Sequence, residues 1–376
     1  MGLSKVAVVA SAQTELRGAW RSAQHIDLIS SVVASVFKGS GMCLDDVDFV
    51  IDSGSDVLDG RSISNCGFLG ALGAHHKEEA RVEEDGLWAA LYGVNKIRSG
   101  ASSVGLIVAY SKPSESTVDT FWNAQVEPFY QRPVGFGQKA ATGIQAQRYL
   151  NTHGGSDRDL ANLVAARWAA AAEHGGVAID ELPDAEAVLA SGPAATPLTK
   201  LMMARPVDGA VAVLIAREDI GRRASRAPVF ITGMGSSMDR HSFATRDGAT
   251  LASAEAAAKM AYAKAGWSGA DADVAEVSGS SAVGELMAIE ALGLAAAGQG
   301  ASVATEGRVA INRSGGALPA DPIMATGLLR LAHAARQLST PELYGLSGGA
   351  QAPAKAIVHG AGGVGMQNNC VFTLEV

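Results

Sequence analysis

Two stretches decide the fold: Asp45–Ser55, DDVDFVIDSGS, and Asp271–Ser280, DADVAEVSGS. Each opens with alternating acids, rises into a short apolar run and stops at Ser-Gly-Ser. An apolar run ending in small residues reads as a buried strand that feeds a loop able to form a site. The correspondence continues outward from both. KVAVVASAQT from Lys5 and PVFITGMGSS from Pro228 are buried-strand patterns, followed by the amphipathic helices HIDLISSVVASVF from His25 and SAEAAAKMAYAKAG from Ser253. Downstream, SVGLIVAYS from Ser103 and AKAIVHGAGG from Ala354 each follow a long helix. A β–α–β–α–β unit therefore occurs twice, which predicts an α/β protein of two duplicated halves, 1–225 and 226–376.

Residues 112–203 interrupt the pattern. WNAQVEPFYQRPVGFG, from Trp122, is rich in Pro, Gly and aromatics, and two helical stretches follow it. This segment reads as an insertion in the first half that lies over the sheet ends as a lid; PVDGAVAVLIARED from Pro206 then closes that half with an apolar strand.

With 376 residues, 48% of them hydrophobic, the chain can bury a large core. A net charge of −8 without a Lys/Arg cluster argues against nucleic acid as a partner. No apolar run approaches the ~18 residues of a membrane span. The start, MGLSKVAVVASAQ, reads as a strand with neither a charged n-region nor a cleavage signal, so a cytoplasmic location is expected. Cys43, Cys66 and Cys370 are too few and too scattered for a disulfide framework or a metal site. None of His25, His75, His76, His153, His174, His241 and His333 has the spacing of a metal ligand, and no metal is expected.

Four separated segments, in order and spacing, resemble the thiolase superfamily, and within it the sterol-carrier-protein type. EPFYQRPVGFG followed by IQAQRYLNTHGGSDRDLANLVAARWAAAA is similar to the family's loop domain, and RPVDGAVAVLIARED to its D-G-A-A strand. AINRSGGALPADPIMATGLLRLAHAARQL is similar to N-x-x-G-G-x-x-x-x-G-H-P-x-G-A-T-G, and VHGAGGVG to the last glycine-rich turn. The resemblance implies the thiolase fold: two βαβαβ halves in a five-layer α-β-α-β-α arrangement with a loop domain inserted in the first half.

Thiolases make or break a C–C bond beside a thioester with a cysteine thiolate, an activating His and a second acid/base group. This chain departs from that set at each loop. The family's C-x-S-G falls on Glu83, Glu84, Asp85 and Gly86, and no cysteine lies between Cys66 and Cys370. Cys66 reads as a small buried core residue and Cys370 as packing in the last strand. The second loop falls on Ser278, Gly279, Ser280 and Ser281, hydroxyls that donate hydrogen bonds but are no base near neutrality. The family's G-H-P is Ala320, Asp321 and Pro322. Asp321 has two readings: a helix cap, with Pro322 at the first helical position, or an acid/base group. His359, in the fourth loop, reads equally as a functional residue or a hydrogen-bonded structural one.

Acidic residues meeting at one place suggest other chemistry. If Glu83 or Glu84 lies near Asp321, burial and like-charge proximity raise one pKa and leave an acid/base pair, able to take a β-hydroxyl proton in a retro-aldol cleavage. The resemblance implies an acyl-CoA ligand, with Arg132, Lys139 and Arg148 as candidate phosphate contacts and Ser314, Gly315, Gly316, Gly362 and Gly363 as backbone that approaches it. It also implies a homodimer or a heterodimer with a second thiolase-like chain, and a zinc-ribbon/OB-fold acyl-CoA-binding partner. Three functions compete: a degenerate subunit of an acyl-CoA C–C bond complex, a retro-aldol lyase on a hydroxyacyl-CoA, and an acetyl-CoA acetyltransferase.

Overall fold

The structure is a computed structural model that describes residues 5–60, 64–225, 227–346 and 352–376. The first half contributes five strands: β1 (Val6–Gln13), β2 (Phe49–Ser53), β3 (Glu78–Val82), β4 (Val104–Ser111) and β5 (Gly209–Arg217). The second contributes β6 (Val229–Met238), β7 (Val274–Val277), β8 (Ala310–Ile311), β9 (Lys355–Gly362) and β10 (Asn368–Glu375). They form one sheet in the order β8-β7-β9-β10-β6-β1-β5-β4-β2-β3. The order within each half is the same: the third and second strands at the edge, then the fourth, the fifth and the first. The halves join where β1 meets β6 over three antiparallel pairs, Val6↔Ile231, Ala7↔Phe230 and Val8↔Val229.

Alternation along the strands assigns the layers, because successive side chains point to opposite faces. On β5, Val211, Val213 and Ile215 join the inner core, while Ala210, Ala212 and Leu214 pack with α1 (His25–Val36). On β10, Cys370, Phe372 and Leu374 point inward, and Val371 points out towards α5 (Ala252–Ala265) and α6 (Ala282–Ala291). The inner core closes on two central helices, α2 (Gly86–Arg98) and α7 (Thr326–Ser339). The two halves of the one sheet enclose the two buried helices, and with helices outside each half they make five layers, as the resemblance implies. The helix α7, TGLLRLAHAARQLS, is buried nearly all round, and its buried Arg330, His333 and Gln337 find partners in Glu276 and Tyr344. Glycine permits the closest contact: a Cβ on Gly86 would lie 2.6 Å from the Ala109 Cβ and 2.7 Å from the Leu328 Cβ.

Residues 112–203 carry α3 (Gln138–His153) and α4 (Asp157–Ala170). Their apolar faces, among them Tyr149, Leu160, Val164 and Trp168, pack into the outer core of the second half with Leu286 and Ile289. The inserted segment of one half thus rests on the other. Among the described residues no helix is long and apolar enough to cross a membrane, and no cluster of His, Cys, Asp and Glu could hold a metal ion.

Candidate functional site: an acid-floored cavity between the halves

The main cavity, about 680 Å³, opens between the inserted segment and the loops of the second half. Trp122, Lys139, Trp168, Lys200 and Met203 wall one side; Ser278, Ser280, Asp321, Thr326, Gly362 and Gly363 wall the other. The chain just before β5 laces the two wall loops together. Ala204 N–H donates to the Ser280 carbonyl (3.1 Å), Arg205 N–H to Leu318 (3.1 Å), Asp321 N–H to Arg205 (2.8 Å) and Val207 N–H to Asp321 (3.2 Å). Asp321 is therefore held by main chain on a fixed floor.

Its carboxylate does not cap a helix. The α7 helix starts at Thr326, four residues later than the sequence suggests, and Pro322 opens the tight turn before it, accepting from Ala325 N–H at 2.7 Å. Asp321 Oδ1 accepts instead from the Thr326 hydroxyl at 2.6 Å. Burial pushes its carboxyl up to about 6, against the opposing pull of the Thr326 hydroxyl and the Arg330 charge. An acid that ionises near neutrality on a cavity floor is equipped to move a proton.

The capping role belongs to Asp85. It precedes α2, is 2% exposed, and accepts from Leu87 N–H at 2.9 Å on Oδ1. Its Oδ2 takes the N–H of Gly327, in the first turn of α7, at 2.7 Å. Two helix N-termini thus share one side chain, the Asp85 carboxyl accepting from both central helices. A Cβ on Gly327 would fall 2.0 Å from the Asp85 Oδ1, so only glycine fits there. Burial pushes the Asp85 carboxyl up to about 8, opposed by the two N–H donors and reinforced by Glu84 and Asp321.

Glu84 and Glu83 part company. Glu84 is half-buried behind the cavity wall, with Oε2 accepting from Asn368 Nδ2 at 2.6 Å, and burial raises its carboxyl. Glu83 is exposed and turns to Arg81, whose Nε lies 2.9 Å from Oε1. It stands outside the cavity lining; the carboxyl that meets the start of α7 beside Asp321 is that of Asp85.

Other expected residues also lie elsewhere. His359 is fully buried on the outer face of β9; its Nε2 sits 2.8 Å from the Asn369 Oδ1, and Asn369 Nδ2 donates to Ser253 Oγ and the Met366 carbonyl. The Asn oxygen thus accepts, so Nε2 carries the proton and Nδ1 is left without a partner. Burial pushes this imidazole down to about 4, so it is neutral at physiological pH and structural. Ser278 does line the cavity, but its hydroxyl donates to the His359 carbonyl at 2.9 Å. Ser314 belongs to a buried network, donating to Glu276 Oε2 at 2.6 Å while Arg330 donates to both. Gly315 packs on Ala171, where a Cβ would lie 2.4 Å away, and Gly316 on Asn312; neither borders the cavity.

Of the three expected cations, only Lys139 reaches the rim, paired with Asp119 at 2.8 Å. Arg132 turns back to the Ala124 and Val126 carbonyls and Arg148 faces Asp247. Lys200 and Arg205, which the sequence reading passed over, line the cavity. No thiol borders it among the described residues: Cys43 and Cys66 are exposed and Cys370 is buried in the inner core. Cys66 is thus a surface residue rather than a core one.

Residues 235–374 match the family described as thiolase C-terminal domain-like. The second half of the chain thus carries a thiolase C-terminal-like domain. This thiolase-fold chain superposes along its full length on the Ltp2-ChsH2(DUF35) aldolase, at 18% identity and a TM-score of 0.82, covering 99% of that chain. It covers 98% of human mitochondrial 3-ketoacyl-CoA thiolase in complex with CoA, at 18% identity and a TM-score of 0.75, with 99% of its own length aligned. A monomeric SCP2-thiolase-like protein from Mycobacterium smegmatis aligns with 100% of this chain and 78% of its own, at 16% identity and a TM-score of 0.72. No curated protein sequence matches it.

Proposed function

We propose that this chain is an acyl-CoA-binding subunit that cleaves or forms a C–C bond by aldol chemistry, without an acyl-enzyme. One observation carries the reading: the cavity floor presents an ionisable carboxylate, Asp321, and no thiol borders it among the described residues. Claisen chemistry needs a nucleophile to hold the acyl group, and losing a covalent nucleophile typically costs about 10⁴ or more in rate. Retro-aldol cleavage needs only a base and a seat for the enolate.

In the proposed reaction a 3-hydroxyacyl-CoA lies with its thioester in the cavity. Asp321 takes the β-hydroxyl proton, the Cα–Cβ bond breaks, and its electron pair moves onto the thioester carbonyl as an enolate. A ketone or aldehyde leaves, and the proton held by Asp321 returns to the α-carbon, so atoms and charge balance without an added reagent. The likeness to an aldolase of a two-protein complex supports this chemistry and a heteromeric state. The likeness to a thiolase with bound CoA supports the ligand class. Lys200 and Arg205, rather than Arg132 and Arg148, stand where they can meet its phosphates.

The test is direct. The chain, purified with its co-expressed genomic neighbours, is given 3-hydroxyacyl-CoA thioesters, and carbonyl product and shortened acyl-CoA are quantified. Equimolar release that Asp321→Asn lowers by about 10²-fold or more supports the reading. Release unaffected by Asp321→Asn overturns it. No turnover with any partner leaves the chain a non-catalytic CoA-binding subunit.

A further inference from the structure

We infer that Asp85 is a positioning residue for Asp321: the two carboxyls form a coupled pair, held by consecutive residues at the start of α7. Thr326 grips Asp321 through its hydroxyl (2.6 Å), and Gly327 grips Asp85 through its N–H (2.7 Å). Neighbouring residues in one helix turn hold one acid each, so both carboxyls converge on the first turn of α7. Only Asp321 faces the cavity. Asp85 is sealed behind it, with the first turns of α2 and α7 on its two oxygens.

This inference rests on the acid–base reading of Asp321 and adds what sets its charge. The groups facing Asp85 are Glu84 on its own loop, Asp321, and Cys370 from β10, whose thiol is pushed up by burial, Asp85 and Glu84. Arg330 faces Asp321 from α7, about one turn beyond Thr326, and favours its ionised form. The Asp321 charge disfavours ionisation of Asp85, so the pair sheds its protons in two steps. The acid nearer Arg330 and the cavity loses its proton first. Asp85 then keeps the second proton, and Asp321 works beside a neutral neighbour. When Asp85 also ionises, a second negative charge stands behind the base and opposes the enolate forming in front of it.

The decisive experiment is a ¹³C-carboxyl NMR titration of the full-length protein, wild type and Asp321→Asn. Coupling predicts that the Asp85 midpoint falls by about one unit or more once Asp321 is neutral. A midpoint that does not move overturns the inference, whether or not the protein turns over any substrate. In the active complex, Asp85→Asn is expected to remove the alkaline fall of kcat/KM while keeping the acid limb that Asp321 sets. A merely structural Asp85 would lower kcat/KM equally at every pH, and that result also counts against the pair. Should Asp85→Asn fail to fold, the Asp321→Asn titration decides alone. Complete absence of turnover in the wild type defeats the aldol reading and leaves the coupling to the NMR.

Discussion

Asp85 of the first half accepts a hydrogen bond from the main chain of Gly327 in the second, at 2.7 Å, and so ties together the N-termini of the two helices at the centre of the molecule. Asp85→Ala removes the acceptor of two buried N–H groups at once. Each orphaned donor costs about 1–3 kcal/mol. The variant should lose about 2–4 kcal/mol by urea denaturation, with the transition still cooperative because the inner core spans both halves. A loss below about 0.5 kcal/mol would show that the helix ends find water instead.

Stability should depend on pH with a definite sign. Burial raises the Asp85 carboxyl to about 8 and the Asp321 carboxyl to about 6, both above the ordinary carboxylate range near 4. Between pH 4 and 8 the native state then holds protons that the unfolded chain has released, so these groups make stability fall as pH rises. The contribution is full below about pH 4 and gone above the native pKa values. Asp321→Asn should flatten the slope between pH 4 and 6, and Asp85→Asn should flatten it up to pH 8. Urea midpoints at pH 5 and pH 8 for the three proteins check this; parallel slopes in all of them would refute it.

Gly86→Ala should be costly for a different reason. The added methyl meets Ala109 and Leu328 well inside van der Waals distance, where α2 and α7 touch. Overpacking of this kind typically costs 1–3 kcal/mol, and it should splay the helix ends that carry the two acids. Calorimetry should show a Tm lower by several degrees, and ligand affinity should fall with it.

Lys200→Gln should raise the KM for a CoA thioester by roughly five-fold, the scale of one exposed charge contact, about 1 kcal/mol. Arg132→Gln and Arg148→Gln should leave KM unchanged, since both side chains point away from the cavity. Equal effects from all three would mean that the phosphates lie along a different path.

Sulfur should be dispensable. Cys43 and Cys66 are exposed and Cys370 packs in the core, so a Cys43→Ser, Cys66→Ser, Cys370→Ala protein should keep its turnover within about two-fold, if it folds. Loss of activity restored by Cys66 alone would return the chain to thiol chemistry.

The duplication was legible because each half repeats strand and helix periods that burial imposes. DDVDFVIDSGS and DADVAEVSGS became β2 and β7 in matching positions of the sheet. The strand β3 was not legible: KEEARVEED is charged, with no alternation, because it lies at the sheet edge and only half-buries Ala80 and Val82. At the site, spacing brought Glu83, Glu84 and Asp85 to the right loop but could not choose among them. The choice depends on which carboxyl faces inward, and a helix-start signal was available: an Asp directly before the Gly-Leu that begins α2. Asp321 was legible as a cap or an acid/base group but not as which of the two, since a Pro after an acid suggests a first helical turn that the chain delays to Thr326. His359 and the Ser314 glycines drew attention as family positions, and only packing reveals that they serve the interior.

The carboxylate that holds the two central helices together also fixes what this protein can become. An incoming nucleophile or anion would find the positive helix ends already occupied, and evicting the occupant would mean prying one half of the chain from the other. Seating a new reactive group at this loop would therefore mean rebuilding the joint between the halves around it.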